Sequence, residues 1–224
     1  MSRAARAGTG RARAAGAGRP GGADAVARAE GAGPVASAAD PWEGDEDLDL
    51  AVRLLAATPT HESRDPELLR HWARTAEAFG AGLAPVPCRA AVVERSDGLE
   101  RGLLARYVSR PVPSVELYTD TLAAAEALID ARGWRHWYPR GSVREAALAH
   151  EAVHEHLHHG PAKAALKHAL GHVVLRAGRF RIHGHVAGAE EIAAHAHART
   201  VCGLGRSPLH LTAALADAVT QREK

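Results

Sequence analysis

At 224 residues the chain has room for one globular domain with a core of moderate size, and 28 basic against 26 acidic side chains leave a formal charge of only +2, too balanced to make a dominant polyanion-binding surface. No apolar run reaches membrane-spanning length, and the two cysteines, Cys88 and Cys202, fit buried thiols in a reducing cytoplasm better than a disulfide. The composition therefore predicts a cytoplasmic protein without a membrane or nucleic-acid partner.

Met1 to Asp40 is an Ala/Gly/Arg tract with no aromatic residue and no apolar periodicity. Such a segment cannot bury enough surface to offset its chain entropy, so residues 1–40 are expected to form a disordered arm ahead of a domain over 41–224. The arm lacks the continuous apolar stretch of a secretory signal. Its six arginines, scattered among glycine and alanine, do not by composition define a binding surface.

The folded region begins near Pro41-Trp42. Leu48, Leu50, Val52, Leu54 and Leu55 follow an acidic first turn and predict a short helix over 45–57. Asp65-Pro66 supplies an N-cap and a first-position proline for a second helix, running to about Phe79 and closed by Gly80, with Leu68, Leu69, Trp72 and Phe79 on its buried side. Val86 to Glu94 and Leu103 to Ser109 are strand-like and separated by Ser96-Asp97-Gly98, which predicts a hairpin; Val115 to Tyr118 is a third short strand. Thr119-Asp120 then caps a helix to about Ala131, ended by Gly133. Trp134 to Pro139 is an aromatic cluster whose default role is core packing, although the Tyr138 phenol is a candidate oxyanion donor if it lies near a metal.

His150-Glu151-Ala152-Val153-His154 reads H-E-x-x-H. In a chain with fifteen histidines the pentad alone is weak ground; by composition roughly one such chain in fifteen would contain it by accident. Its context strengthens it, because Ser142 to Ala149 is rich in helix formers and Gly160-Pro161 stops the helix just beyond. Mid-helix, His150 and His154 are one turn apart and present two imidazoles to one point. Zinc takes two such nitrogens, a third protein ligand and an open position for water, and Glu151 stands beside the first histidine where a carboxylate can act as general base. His158 continues the stripe, but three ligands over two turns would spread across about 12 Å, so His158 is expected to be solvated or to sit outside the metal's own ligands. His156 and His159 face elsewhere.

The third ligand is sought in Gly188 to Ala198, helical by composition, with Glu190 and Glu191 in its first turn. Adjacent residues on a helix point about 100° apart, so only one of the two faces a metal. His195 is four residues beyond Glu191 and shares its face, where it can hydrogen-bond a ligand or the pentad helix. Pro161 to Leu170 reads as helix, Arg179 to Val186 as a hairpin arm with His183 and His185 on one face, and Ser207-Pro208 caps a last helix to about Thr220.

His-Glu-x-x-His followed by Glu191-Ile192-Ala193-Ala194-His195-Ala196-His197-Ala198 resembles the gluzincin-type zinc peptidases of the ImmA/IrrE family over Val115 to Leu209. The resemblance implies a mainly helical α+β zincin-like fold with a small β-sheet over the active-site helix. It implies Zn2+ held by His150, His154 and Glu191, Glu151 as general base, and a peptide or protein substrate. The chain departs from the family's pattern at His195 (commonly Asn or Asp), His197 (commonly Phe) and Val153 (often Gly), and its spacer between the motifs is long. The competing expectation is a non-catalytic zinc-binding protein of the same fold, regulatory or structural.

Overall fold

In the computed structural model, which describes residues 45–158 and 160–222, the apolar periodicity of the first segment becomes helix α1 (Asp45–Ala56). Residues 1–40, the start of the domain at Pro41-Trp42, and His159 lie outside the described residues. Helix α2 (Pro66–Ala81) starts as its cap dictates, with the Asp65 carboxylate accepting from the Glu67 N–H at 3.0 Å. Leu69 and Trp72 are buried, while Leu68 and Phe79 are partly so. Gly80 does not end this helix. A Cβ there would lie 2.0 Å from the Ala193 carbonyl oxygen, so the glycine permits α2 to cross closely over α6 (Ala189–Val201).

The sheet corrects the expected hairpin. Strands β1 (Ala91–Arg95), β2 (Ala105–Val108) and β3 (Ser114–Tyr118) lie in the order β1-β3-β2, with β1 parallel and β2 antiparallel to β3. The reason is burial. Val115, Leu117 and Tyr118 are buried and take the centre, whereas every residue of β1 is exposed and belongs at an edge. Ser96-Asp97-Gly98 leads instead into a 3-10 turn over Leu99–Arg101. The Asp120 carboxylate accepts there from the N–H groups of Gly98 (3.1 Å) and Leu99 (2.9 Å). Asp120 thus ties the turn to α3 (Thr119–Arg132) and does not cap that helix, whose N-cap position is Tyr118 without a side-chain bond.

Helices α4 (Ser142–His158) and α5 (Pro161–Leu170) follow, then a two-stranded antiparallel ribbon, β4 (Val173–Ala177) with β5 (Phe180–His183). The ribbon stops earlier than expected. Strand β5 ends at His183, and although the Gly184 N–H carries the ladder on to the His172 carbonyl at 2.7 Å, His185 lies beyond the strand, so strand alternation does not set it on a face with His183. Helix α7 (Pro208–Arg222) is capped by the Ser207 hydroxyl, which accepts from the Leu209 N–H at 3.2 Å.

The class is α+β and mainly helical: seven α-helices with one three-stranded and one two-stranded sheet among the described residues. Apolar side chains gather in two clusters. One joins α1, α2, α5, α6 and the end of α4 through Leu55, Trp72, Leu157 and Ile192; the other joins β3, α3, α7 and the start of α4 through Leu117, Ile129, Val143 and Leu211. Helix α4 passes from one cluster to the other between Ala147 and Val153, and the histidine pentad occupies that passage. Cys88 and Cys202 are free thiols, half-buried where buried ones were expected.

Candidate metal centre

On α4 the side chains of His150 and His154 meet, Nε2 to Nε2, at 3.0 Å. Glu191, in the first turn of α6, closes the third side. Its Oε2 lies 3.2 Å from His150 Nε2, and its Oε1 3.1 Å from His154 Nε2. Donor atoms about 2.0–2.1 Å from a tetrahedral metal are about 3.3 Å apart, so these separations are those of ligands around one ion. Two imidazole nitrogens facing each other need a proton or a cation between them, and a carboxylate against both raises the demand for positive charge. The three residues therefore fit a metal.

Glu190 is turned elsewhere. It pairs with Lys163 on α5 at 3.0 Å and with His185 Nδ1 at 3.6 Å, which leaves Glu191 as the carboxylate at the paired imidazoles. His195, one turn along α6, is buried with its ring centroid 4.4 Å from that of His150. One donor atom from each of His150, Glu191 and His195 lies within 4.8 Å of the others, and these three could hold a metal ion. His195 Nδ1 is buried without a hydrogen-bond partner.

The electrostatics follow from burial and this one carboxylate. Burial pulls the His154 imidazolium down, but hydrogen bonding and attraction to Glu191 outweigh it and its pKa rises. Burial would lift the Glu191 carboxyl, yet bonds to both imidazoles hold it well below the usual carboxylate range. Burial pushes His195 well down, so its ring stays neutral, the form that can ligate.

Glu151 follows His150 on α4 and lines the same cavity. It is buried, and its Oε2 accepts from the backbone N–H of Tyr107 on β2 at 2.7 Å. The Tyr118 N–H donates to the Leu104 carbonyl, and Arg106 is paired with Glu116. By the alternation of an antiparallel ladder, the N–H and C=O groups of Ala105 and Tyr107 therefore face the outer edge of β2. That edge, Glu151 and the His–Glu group border one cavity of about 630 Å³.

His150, Glu151, His154 and Glu191, the four residues that the two motifs single out, all line this cavity together with His195. Tyr138 also lines it, but its hydroxyl donates to the Ser207 carbonyl at 2.9 Å and its ring is buried. Its contribution is packing, and the expectation of an oxyanion donor is corrected. His158 is exposed at the rim, its ring 5.9 Å from that of Tyr107. His156 is exposed and His183 packs against His168 at 5.0 Å, away from the cluster. Tyr107 was missed: it acts through a backbone N–H, which any residue but proline supplies. Comparison with known protein families, curated proteins and solved structures finds no match to this chain.

Proposed function

We propose that the chain is a zinc-dependent peptidase with a zincin-like fold of the gluzincin type, akin to the ImmA/IrrE peptidases, in which His150, His154 and Glu191 hold the ion. The observation that carries this reading is the approach of four donor atoms of three residues, from two helices, at separations of 3.0–3.2 Å, beside a buried carboxylate in the same cavity. A zinc ion bound there would polarise a substrate carbonyl and make water acidic enough to lose a proton near neutral pH. Glu151 takes that proton. Its Oε2 is held by Tyr107, which fixes the carboxylate's orientation and leaves Oε1 to accept the proton and return it to the leaving amine. The outer edge of β2 offers the N–H and C=O of Ala105 to an extended peptide backbone, which aligns a peptide or protein substrate by strand addition.

Metal content and peptide hydrolysis, measured on the same preparations, test the proposal. About one zinc per chain is expected, lost in His154→Ala. Glu151→Gln should keep the metal while turnover falls by about 10²–10⁴. Purified wild-type chain with far less than stoichiometric metal would overturn the reading.

His195 favours one second reading. As a fourth protein donor it would leave no position open, and the ion would then be structural, in a non-catalytic binding or regulatory protein. In that case Glu151→Gln is silent, His150→Ala unfolds the domain, and His195→Ala lowers metal affinity on its own.

A further inference from the structure

From Gly160 to Ala189 the chain carries no carboxylate, but five Lys or Arg residues (Lys163, Lys167, Arg176, Arg179 and Arg181) and four histidines. The β4–β5 ribbon lies in the middle of this stretch. Its register pairs Leu175 with Ile182 and Ala177 with Phe180, and between them Arg176 with Arg181. Side chains alternate along a strand and paired residues share a face, so one face is Leu175, Ala177, Phe180 and Ile182, and the other carries the two arginines. The apolar face is bare: Leu175, Phe180 and Ile182 are 54%, 66% and 55% exposed. None of the four lines the cavity at the metal centre, so the face is not a wall of that site. The ribbon's base is fixed to the body, through His172 against Trp72 at 5.1 Å and His183 against His168 at 5.0 Å. At the tip, the Arg179 guanidinium lies 5.4 Å from the Phe180 ring centroid.

We propose that this ribbon docks the chain onto an anionic lipid surface, with Leu175, Phe180 and Ile182 entering the headgroup–acyl boundary, Arg179 at the tip meeting lipid phosphates, and Arg176 and Arg181, on the opposite face, reaching phosphates around the ribbon's edges with their long side chains. Two physical arguments select this occupant. Four side chains on a short ribbon bury far less than the roughly 800 Å² per partner that a stable protein interface needs. Aliphatic side chains interleaved with arginines also suit a surface that is both oily and negative; a single-stranded nucleic acid would call for aromatic platforms, and this ribbon has only Phe180. The composition excluded a spanning segment, and no helix among the described residues is long and apolar enough to cross a membrane. Peripheral attachment needs no such helix. It needs an apolar face, which becomes visible only when the strands pair.

The test is co-sedimentation of the full chain with vesicles of phosphatidylcholine alone or mixed with phosphatidylglycerol. Residues 1–40 hold six arginines of their own, so the readout is the difference made by ribbon variants. Binding to the mixed vesicles, weakened by salt, is expected to fall on the order of a hundredfold in the triple variant Leu175→Ser, Phe180→Ser, Ile182→Ser. It should fall about 25-fold in Arg176→Gln with Arg181→Gln. All five positions are on the ribbon, and circular dichroism should show an unchanged fold. Equal binding by wild type and both variants would overturn the proposal. So would a dimer in lipid-free sedimentation velocity that the serine variant abolishes, which assigns the face to a second copy. Oligonucleotide binding lost in the arginine variant and kept in the serine variant would overturn it in favour of nucleic acid.

Discussion

Gly80 and Glu191 are coupled through a single carbonyl. An alanine in mid-helix is ordinarily better than glycine by about 0.5–1 kcal/mol, but a Cβ at residue 80 would stand 2.0 Å from the Ala193 oxygen. That oxygen belongs to backbone two residues after Glu191 and cannot swing aside. Gly80→Ala should therefore destabilise, by about 1–3 kcal/mol as overpacked cores do. It should also displace α6, which carries Glu191, and weaken metal binding at the same time. Urea denaturation reads the first effect, and competition with a chromophoric chelator reads the second. A stabilised Gly80→Ala chain with unchanged zinc affinity would show that the two helices are not held at this crossing.

At the scale of elements, the position of β2 makes a sharper claim. The Tyr107 N–H faces away from β3 and donates to Glu151, so proline at this position removes no ladder bond and an edge strand tolerates it. Tyr107→Pro should fold and keep its metal, with a loss of about 1.5–3 kcal/mol for a bond to a charged group. On the proposed peptidase reading, turnover should fall in kcat more than in KM, because Glu151 loses the group that orients it. Loss of bound metal in this variant would mean that β2 supports the ligands rather than the base. The helices around this strand were legible because their signals are local: apolar residues at helical spacing in α1 and α2, and capping side chains at Asp65 and Ser207. The pairing of the strands was not. Ser96-Asp97-Gly98 has the chemistry of a hairpin turn, but the N–H groups of Gly98 and the following Leu99 are claimed by Asp120, more than twenty residues on. β1 pairs past β2 with a strand that burial draws to the centre. Likewise Glu190 and Glu191 could not be separated by composition, since Lys163 and His185, which hold Glu190 aside, come from other elements.

For the molecule as a whole, a metal between α4 and α6 would bridge the two apolar clusters that these helices share. Saturating metal at 100–1,000 times its dissociation constant adds about 2.7–4.1 kcal/mol, and a domain of this size shifts by about 2–4 °C per kcal/mol. Chelation should therefore lower Tm by roughly 5–15 °C, fully restored by added zinc, and leave His154→Ala unmoved. With chelator present throughout, stability should still depend on pH, because several histidines are buried as neutral rings. Burial depresses His197, with the Gly80 backbone pulling it partly back; burial depresses His210 against the attraction of Glu46; and His195 is pushed well down by burial. A histidine whose folded pKa lies below its unfolded value near 6.5 binds more protons when unfolded, so stability rises with pH. Its contribution is present above about pH 6.5 and is lost as pH falls through the folded value, at up to about 1.4 kcal/mol per pH unit and group. His154, raised by Glu191 after burial is overcome, runs the other way: its contribution is present below about pH 6.5 and fades as pH climbs through the folded value. Burial depresses His172 as well, and four depressed imidazoles against one raised one predict a metal-free Tm that falls between pH 7 and pH 5. Replacing His197, away from the paired imidazoles, by Phe should flatten that slope by about one group's share, read by thermal melts across the range. A slope identical in wild type and His197→Phe would show that His197 takes up its proton without unfolding the crossing of α2 and α6.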